Sequence, residues 1–216
     1  MTAKAMRAAL ALLAAASLAG CGSDLGGQQQ AGALKAVIGA RAKVGPTHLS
    51  RAQIRAAGEP LLLAESRAKH LRAYLTRLGT NGAVVTWVSR DDRTVSLGDG
   101  LLVQTRGLGE DLMSAAPPSL AALRRGRGTV AATYYFLDGN DQSYAVPVTC
   151  RLTDNGHETL TIAERPYRLH HVSARCRGGS VGFTNDYWFD TRGRLRTSRQ
   201  WISPSLGVFA FTDLAP

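Results

Sequence analysis

The sequence predicts a mainly β fold, an antiparallel β-sandwich or open barrel with a few short helices. From residue 81 onward, turn-forming pairs at Asn81-Gly82, Asp99-Gly100, Asp138-Gly139, Asn155-Gly156 and Arg192-Gly193 separate short apolar runs. Tyr144, Val146, Val148, Cys150 and Leu152 alternate with polar or small residues, the period-two pattern of a strand with one buried face. Helical patterns are short and few, and such a balance of elements favours packed antiparallel sheet over layered α/β architecture.

Taken in order, Leu34–Ile38 reads as a short helix broken by Gly45-Pro46. Ser50 caps a second short helix, with Gln53 at the capping-box position and a stop by Gly58-Glu59-Pro60. Residues 61–78 admit two readings. Ala64, Ala68, Leu71, Leu75 and Leu78 fit a helical stripe, whereas Leu61–Leu63 and Tyr74–Leu78 fit two short strands; periodicity favours the helix. Ala83–Val88 and Leu101–Val103 read as strands. Glu110–Ala115 and Ser119–Leu123 read as helical, parted by Pro117-Pro118. Pro147 predicts that the strand around Cys150 lies at an edge or carries a bulge. Later runs are Leu160–Ala163, Arg168–Cys176, Val181–Asp190, Leu195–Ile202 and Val208–Phe211. Roughly nine to eleven strands result, within one domain over residues 34–216.

With 216 residues and 44% hydrophobic composition, the chain has enough apolar material for a core. Beyond the N-terminus it lacks the run of about 18 apolar residues that a helical membrane span needs. Lys4 and Arg7 precede an apolar stretch, Ala8–Leu18, that is short for a span and reads as a signal peptide. Leu18-Ala19-Gly20-Cys21 then resembles a bacterial lipobox, so residues 1–20 are expected to be removed and Cys21 lipidated. The alternative is a soluble periplasmic protein cut at a small-residue site between Ala16 and Gly20. Acylation at Cys21 would hold the chain on a membrane. Gly22 after the lipidated cysteine, in place of the Asp that retains lipoproteins at the inner membrane, points to the outer membrane, on its periplasmic face. Gly- and Gln-rich residues 21–33 form a flexible tether; about 11 residues of coil reach roughly 20 Å.

The formal charge is +10, from 26 basic and 16 acidic residues, and only Lys4, Lys35, Lys43 and Lys69 among the basic residues are lysines. Loss of Lys4 and Arg7 with the leader leaves a strongly basic body. An exported, tethered chain does not meet nucleic acid, which leaves a membrane surface, an acidic polymer or simply a solvated surface as the meaning of this charge. The cluster Arg124-Arg125-Gly126-Arg127 and the row Arg192, Arg194, Arg196, Arg199 are the places where anionic glycan or lipid head groups would bind. Once Cys21 is lipidated, Cys150 and Cys176 remain as an even pair in an oxidising compartment, which predicts one disulfide. Neither has the C-x-x-C or clustered-His context of a redox or zinc site.

Two strings carry a resemblance: Thr105-Arg106-Gly107-Leu108-Gly109-Glu110-Asp111-Leu112-Met113 and Ser198-Arg199-Gln200-Trp201-Ile202-Ser203-Pro204-Ser205-Leu206-Gly207. With Thr86-Trp87-Val88-Ser89, Leu137-Asp138-Gly139, Asn185-Asp186-Tyr187-Trp188 and the lipobox, they make the chain resemble the YjbF/GfcB family of group 4 capsule lipoproteins. The resemblance implies a mainly β outer-membrane lipoprotein that works with proteins exporting or assembling capsule or extracellular polysaccharide. It favours strands over residues 61–78, and it supplies no catalytic residue. In the first string Gly107 and Gly109 allow a sharp turn, and Arg106 either pairs with Asp111 or binds ligand. Trp87, Trp188 and Trp201 either pack in the core or stack on sugar rings; Trp201 shares a strand face with Leu195, which favours the core.

No motif for catalysis is present: neither G-x-S-x-G nor H-E-x-x-H occurs. His170 and His171 are adjacent on a strand and face opposite ways, unsuited to one metal ion. Asp186 and Asp190 share a face about 13 Å apart, too far for a glycosidase pair. The expectation is a protein without enzymatic activity, cofactor or metal, serving as an accessory in polysaccharide export. The candidate binding residues are Arg106, Arg124, Arg125, Arg127, Trp188, Arg199 and Trp201. The alternative is a periplasmic carrier or chaperone for lipid-linked or apolar envelope material, which requires an apolar cavity of several hundred Å³. Cys21→Ala is expected to move the protein from the membrane pellet to the soluble fraction and abolish labelling by a palmitate analogue; retention in the pellet would refute the anchor.

Overall fold

The computed structural model describes residues 48–215; the expected signal peptide, Cys21, the expected tether and the expected helix at Leu34–Ile38 lie outside the described residues. Helix α1, Arg51–Ala56, begins at the expected capping box, in which the Ser50 hydroxyl and the Gln53 side chain each accept from the other's backbone N–H. Twelve strands and one further short helix follow. They are β1 (Leu61–Ser66), β2 (Leu71–Asn81), β3 (Val84–Val88), β4 (Thr94–Gly98), β5 (Leu101–Arg106), β6 (Ser114–Ala116), α2 (Leu120–Arg124), β7 (Arg127–Leu137), β8 (Ser143–Ile162), β9 (Arg165–Gly178), β10 (Val181–Phe189), β11 (Leu195–Ser203) and β12 (Gly207–Asp213).

All strands belong to one antiparallel sheet in the order β5-β4-β3-β2-β1-β12-β11-β10-β9-β8-β7-β6. The first and last strands pair in its middle, Ala64 opposite Phe211, and two meanders run outward from that seam. The two edge strands, β5 and β6, are consecutive in the chain, so the sheet curls until its edges meet in a nearly closed barrel. Of the two expected architectures, the open barrel is the one that forms, because a single continuous ladder leaves no second sheet to pack against.

Several elements differ from the sequence reading. Residues 61–78 form strands, overturning the helical stripe: Leu62, Ala64 and Leu75 are buried on one sheet face, while Leu71 and Leu78 are exposed. Glu110–Ala115 is not helical. Its first part is a loop and its end enters β6, because Thr105 and Tyr135 bond the backbone of Leu112 and Met113. Asn155-Gly156 is a bulge within the twenty-residue strand β8, where the register slips between Asp154 and His157. The real turn of that hairpin is Ala163-Glu164, both residues at positive φ, a tight connection that lacks the usual Gly or Asn and so escaped notice. Twelve strands exceed the nine to eleven expected, since β6 is three residues long and β2 lay in the ambiguous segment.

The core lies inside the barrel. β7 contributes Ala132, Tyr134 and Phe136, β8 Val148, Cys150 and Leu152, and β9 Val172, Ala174 and Cys176, each set at alternate positions. Tyr144, the outermost residue of the expected stripe, is exposed. Cys150 and Cys176 are directly opposed across β8 and β9 and are joined by a disulfide. Pro147 precedes the first β8–β9 pair, Thr149 with Arg177, so its missing N–H breaks no bond on that side. Gly178 lies against it; a Cβ there would collide with the Pro147 carbonyl.

Removal of the disulfide by Cys150→Ala with Cys176→Ala is expected to cost about 3 kcal/mol on the chain-entropy account of a 26-residue loop. That corresponds to a fall of about 10 °C in Tm for a domain of this size. Thermal unfolding followed by circular dichroism checks it, and an unchanged Tm would show that the ladder alone fixes this hairpin.

Candidate functional site

The first family-like string closes the barrel. The Asp111 carboxylate accepts from the Thr105 hydroxyl at 2.9 Å and from the backbone N–H groups of Gly107 at 2.7 Å and Leu108 at 3.1 Å. Thr105 and Leu112 bond each other twice, through backbone and hydroxyl. Arg106 does not pair with Asp111. Its guanidinium donates to the carbonyls of Thr105, Leu112 and Met113, so the half-buried side chain serves the seam between β5 and β6 and is turned away from solution as a binding group.

The second string reaches the first. Glu110 accepts from the backbone N–H of Ser205 at 2.8 Å. Burial opposes ionisation of Glu110, but hydrogen bonds from Ser205 and Ser203 outweigh it and hold its carboxyl below the ordinary range. Gln200 spans the interior from β11 to β5, donating to the Gly100 carbonyl and accepting from the Leu102 N–H, each at 2.8 Å. Its amide thus serves the edge strand as a neighbouring backbone would.

Trp201 is a core residue, 6% exposed, which removes it from the candidate binding surface. The β10–β11 ladder ends at Asp186 with Arg199. Beyond it the Asn185 side-chain carbonyl accepts from the backbone N–H of Trp201 at 2.8 Å, and the indole stacks on Phe183 and meets Tyr134 edge-on. Burial pushes the Tyr134 hydroxyl up to about 12, and Tyr187 is likewise raised; both receive hydrogen bonds from the Asn185 amide.

Three other candidates share the outer face. Arg127 opens β7, and Trp188 and Arg199 point outward from β10 and β11. Trp188 is half-buried: its ring stacks on His171 at 4.4 Å and its N–H donates to Glu158 at 2.6 Å. Asp186 joins His171 at 3.0 Å and Arg199 at 3.7 Å. Sequence reasoning missed three neighbours on this face. Arg151 stands directly opposite Arg175, and Arg177 follows two residues on; all three are exposed and without an ion pair among the described residues. Pairing Cys150 with Cys176 in an antiparallel hairpin already places residue 151 opposite 175, so the signal was present in the disulfide.

Arg124 and Arg125 separate from this face. Arg124 ends α2 and Arg125 is its C-cap; both are exposed, and Arg124 also lines a cavity of about 460 Å³ inside the barrel. Leu62, Val85, Trp87, Leu97 and Phe211 form apolar walls, and Arg77, Arg194, Arg196, Asp99 and Asp213 supply charge. No group of three or more His, Cys, Asp and Glu residues suited to a metal ion occurs among the described residues.

A nearly closed antiparallel barrel pinned by these two strings defines a small β-barrel domain, and comparison gives its family. Residues 33–214 match the family described as group 4 capsule polysaccharide lipoprotein GfcB, YjbF, and the chain belongs to it. Among solved structures it is similar to the hypothetical lipoprotein YmcC from Escherichia coli (K12), with a TM-score of 0.68 at 18% identity, covering 79% of this chain and 90% of that one. At that identity the likeness shows the fold. No curated protein matches significantly.

Because the folded-state pKa of Glu110 lies below its ordinary value, its contribution is complete above about pH 4.5 and is lost as pH falls through the folded value. Glu110→Gln is therefore expected to lower Tm at pH 7 and to flatten the acid limb of Tm against pH. Parallel acid limbs for variant and wild type would exclude this role.

Proposed function

We propose that this chain is a non-catalytic accessory in the export or assembly of capsule or extracellular polysaccharide, anchored through Cys21 to the periplasmic face of the outer membrane. Membership of the capsule lipoprotein family supports the process. The observation that carries a physical role is the cross-strand pair Arg151 and Arg175. Like charges directly opposed on a sheet are destabilising, and here no carboxylate of the described residues relieves them. An acidic polymer laid across β7–β11 would do so, and Arg127, Arg177 and Arg199 extend the strip along which it would lie. The remaining partners are polysaccharide-export proteins of the outer membrane or periplasm.

A second reading, a periplasmic carrier of lipid-linked or apolar material, is favoured by one observation: the 460 Å³ cavity with apolar walls.

The test is deletion of the gene, with complementation by wild type, Cys21→Ala and the triple variant Arg151→Ser, Arg175→Ser, Arg177→Ser. Surface polysaccharide is expected to disappear on deletion and to return fully with wild type alone. In vitro, binding of purified acidic polysaccharide is expected to weaken at least tenfold in the triple variant and to fall with rising salt in the wild type. Full complementation by the triple variant would refute the arginine strip, and unchanged polysaccharide on deletion would refute the process.

A further inference from the structure

The barrel cavity carries an inference that the polysaccharide role does not contain, and it rests on the carrier reading of that cavity. Two properties define it. Its walls are apolar, from Leu62, Val85, Trp87, Leu97 and Phe211, and its volume of about 460 Å³ lies within the range of small-molecule sites. Its polar lining is unbalanced towards positive charge. Arg77 and Arg124 form no ion pair among the described residues, while Arg194 is held by Asp190 outside the lining at 3.0 Å. Of the two lining acids, Asp213 is engaged by Arg196 at 3.2 Å, which leaves Asp99 facing the free cations.

Arg196 is committed within the wall and is not a ligand group. It is 2% exposed and is one of the residues lining the cavity. Its two terminal nitrogens reach Asp213 and the carbonyls of Asp213 and Ala215, and its plane lies over Tyr167 at 5.1 Å, but its Nε–H has no hydrogen-bond partner. That Nε is closed off from the cavity with the rest of the buried side chain, so the exposed Arg77 and Arg124 are the unpaired cations of the lining that a ligand can reach.

We infer that this cavity binds an anionic single-chain amphiphile, its aliphatic tail against Leu62, Leu97, Phe211 and Trp87 and its acidic head group held by Arg77 and Arg124. A free anion would leave the apolar walls wet, and a neutral lipid would leave the guanidinium groups unmatched. Arginine suits the task because its planar fork donates two parallel hydrogen bonds to a phosphate or carboxylate.

The experiment uses the full chain, purified in dodecyl maltoside, so that the detergent is itself the neutral competitor of equal tail length. Dodecyl phosphate, dodecanoate and inorganic phosphate are added separately at substoichiometric ratio to detergent, and retention is read by native mass spectrometry. One dodecyl phosphate or dodecanoate per chain is expected, the preferred acid identifying the head-group source. Arg77→Ser with Arg124→Ser is expected to weaken retention at least tenfold. Ala83→Trp, at the exposed edge of the mouth, is expected to abolish it while leaving the circular dichroism melt unchanged, which separates occlusion from unfolding. Equal retention by the double arginine variant, or inorganic phosphate bound as tightly as the alkyl acid, overturns the inference. Maltoside retained as well as the acids overturns it while sparing a carrier of neutral lipid, and no retention of any amphiphile overturns both.

Discussion

Everything in this barrel depends on how its two edges are joined. A single antiparallel sheet has two free edges, each a row of unpaired N–H and C=O groups, and between β5 and β6 there is no regular ladder to cover them. Closure falls instead to side chains. Asp111 gathers the turn after β5, Arg106 takes three carbonyls, and Gln200 gives the Gly100–Leu102 segment of β5 the donor and acceptor that a neighbouring strand would have given. Polar residues at these positions thus have a structural explanation, and the strings that look most like a binding signature are largely occupied with closure.

The same closure shapes the interior. β5 and β11 stand six places apart in the sheet, yet Gln200 draws them together across the barrel, and Gly100 lies close against Leu195. Tyr134, Phe136, Phe183 and Trp201 fill one region with interlocking rings. Another region, under β1–β4 and β12, remains hollow. A barrel of this many strands has more interior than side chains readily fill, so a pinch and a cavity are complementary results of one geometry. Outside, the arginine strip lies on the opposite face of the very strands whose inward residues form the aromatic core.

How much was legible in the sequence can be judged from single elements. The Ser50 capping box and the Cys150–Cys176 bridge are local or parity-based signals, and both appear in the structure. The helical stripe over residues 61–78 misled because Ala64 and Leu75 are buried in a strand pair that only β12 completes. Asn155-Gly156 has turn chemistry but sits in a bulge, while Ala163-Glu164 turns without it. Trp188 and Arg199 do lie on the outer face, whereas Arg106 and Trp201 were drawn into the seam and the core.

The sequence by itself determined the strand-rich class, the family, the position of the disulfide and the excess of arginine, because these follow from alternation, motif strings and composition. Tertiary structure alone decided that the sheet closes on itself and that Arg124 borders a cavity while Arg127 lies on the outer face of the sheet. It also set Arg151 and Arg175 side by side and left Arg196 buried with an idle Nε. The physical reason is that register and closure pair residues separated by tens of positions, and local periodicity carries no information about which strand will be the neighbour.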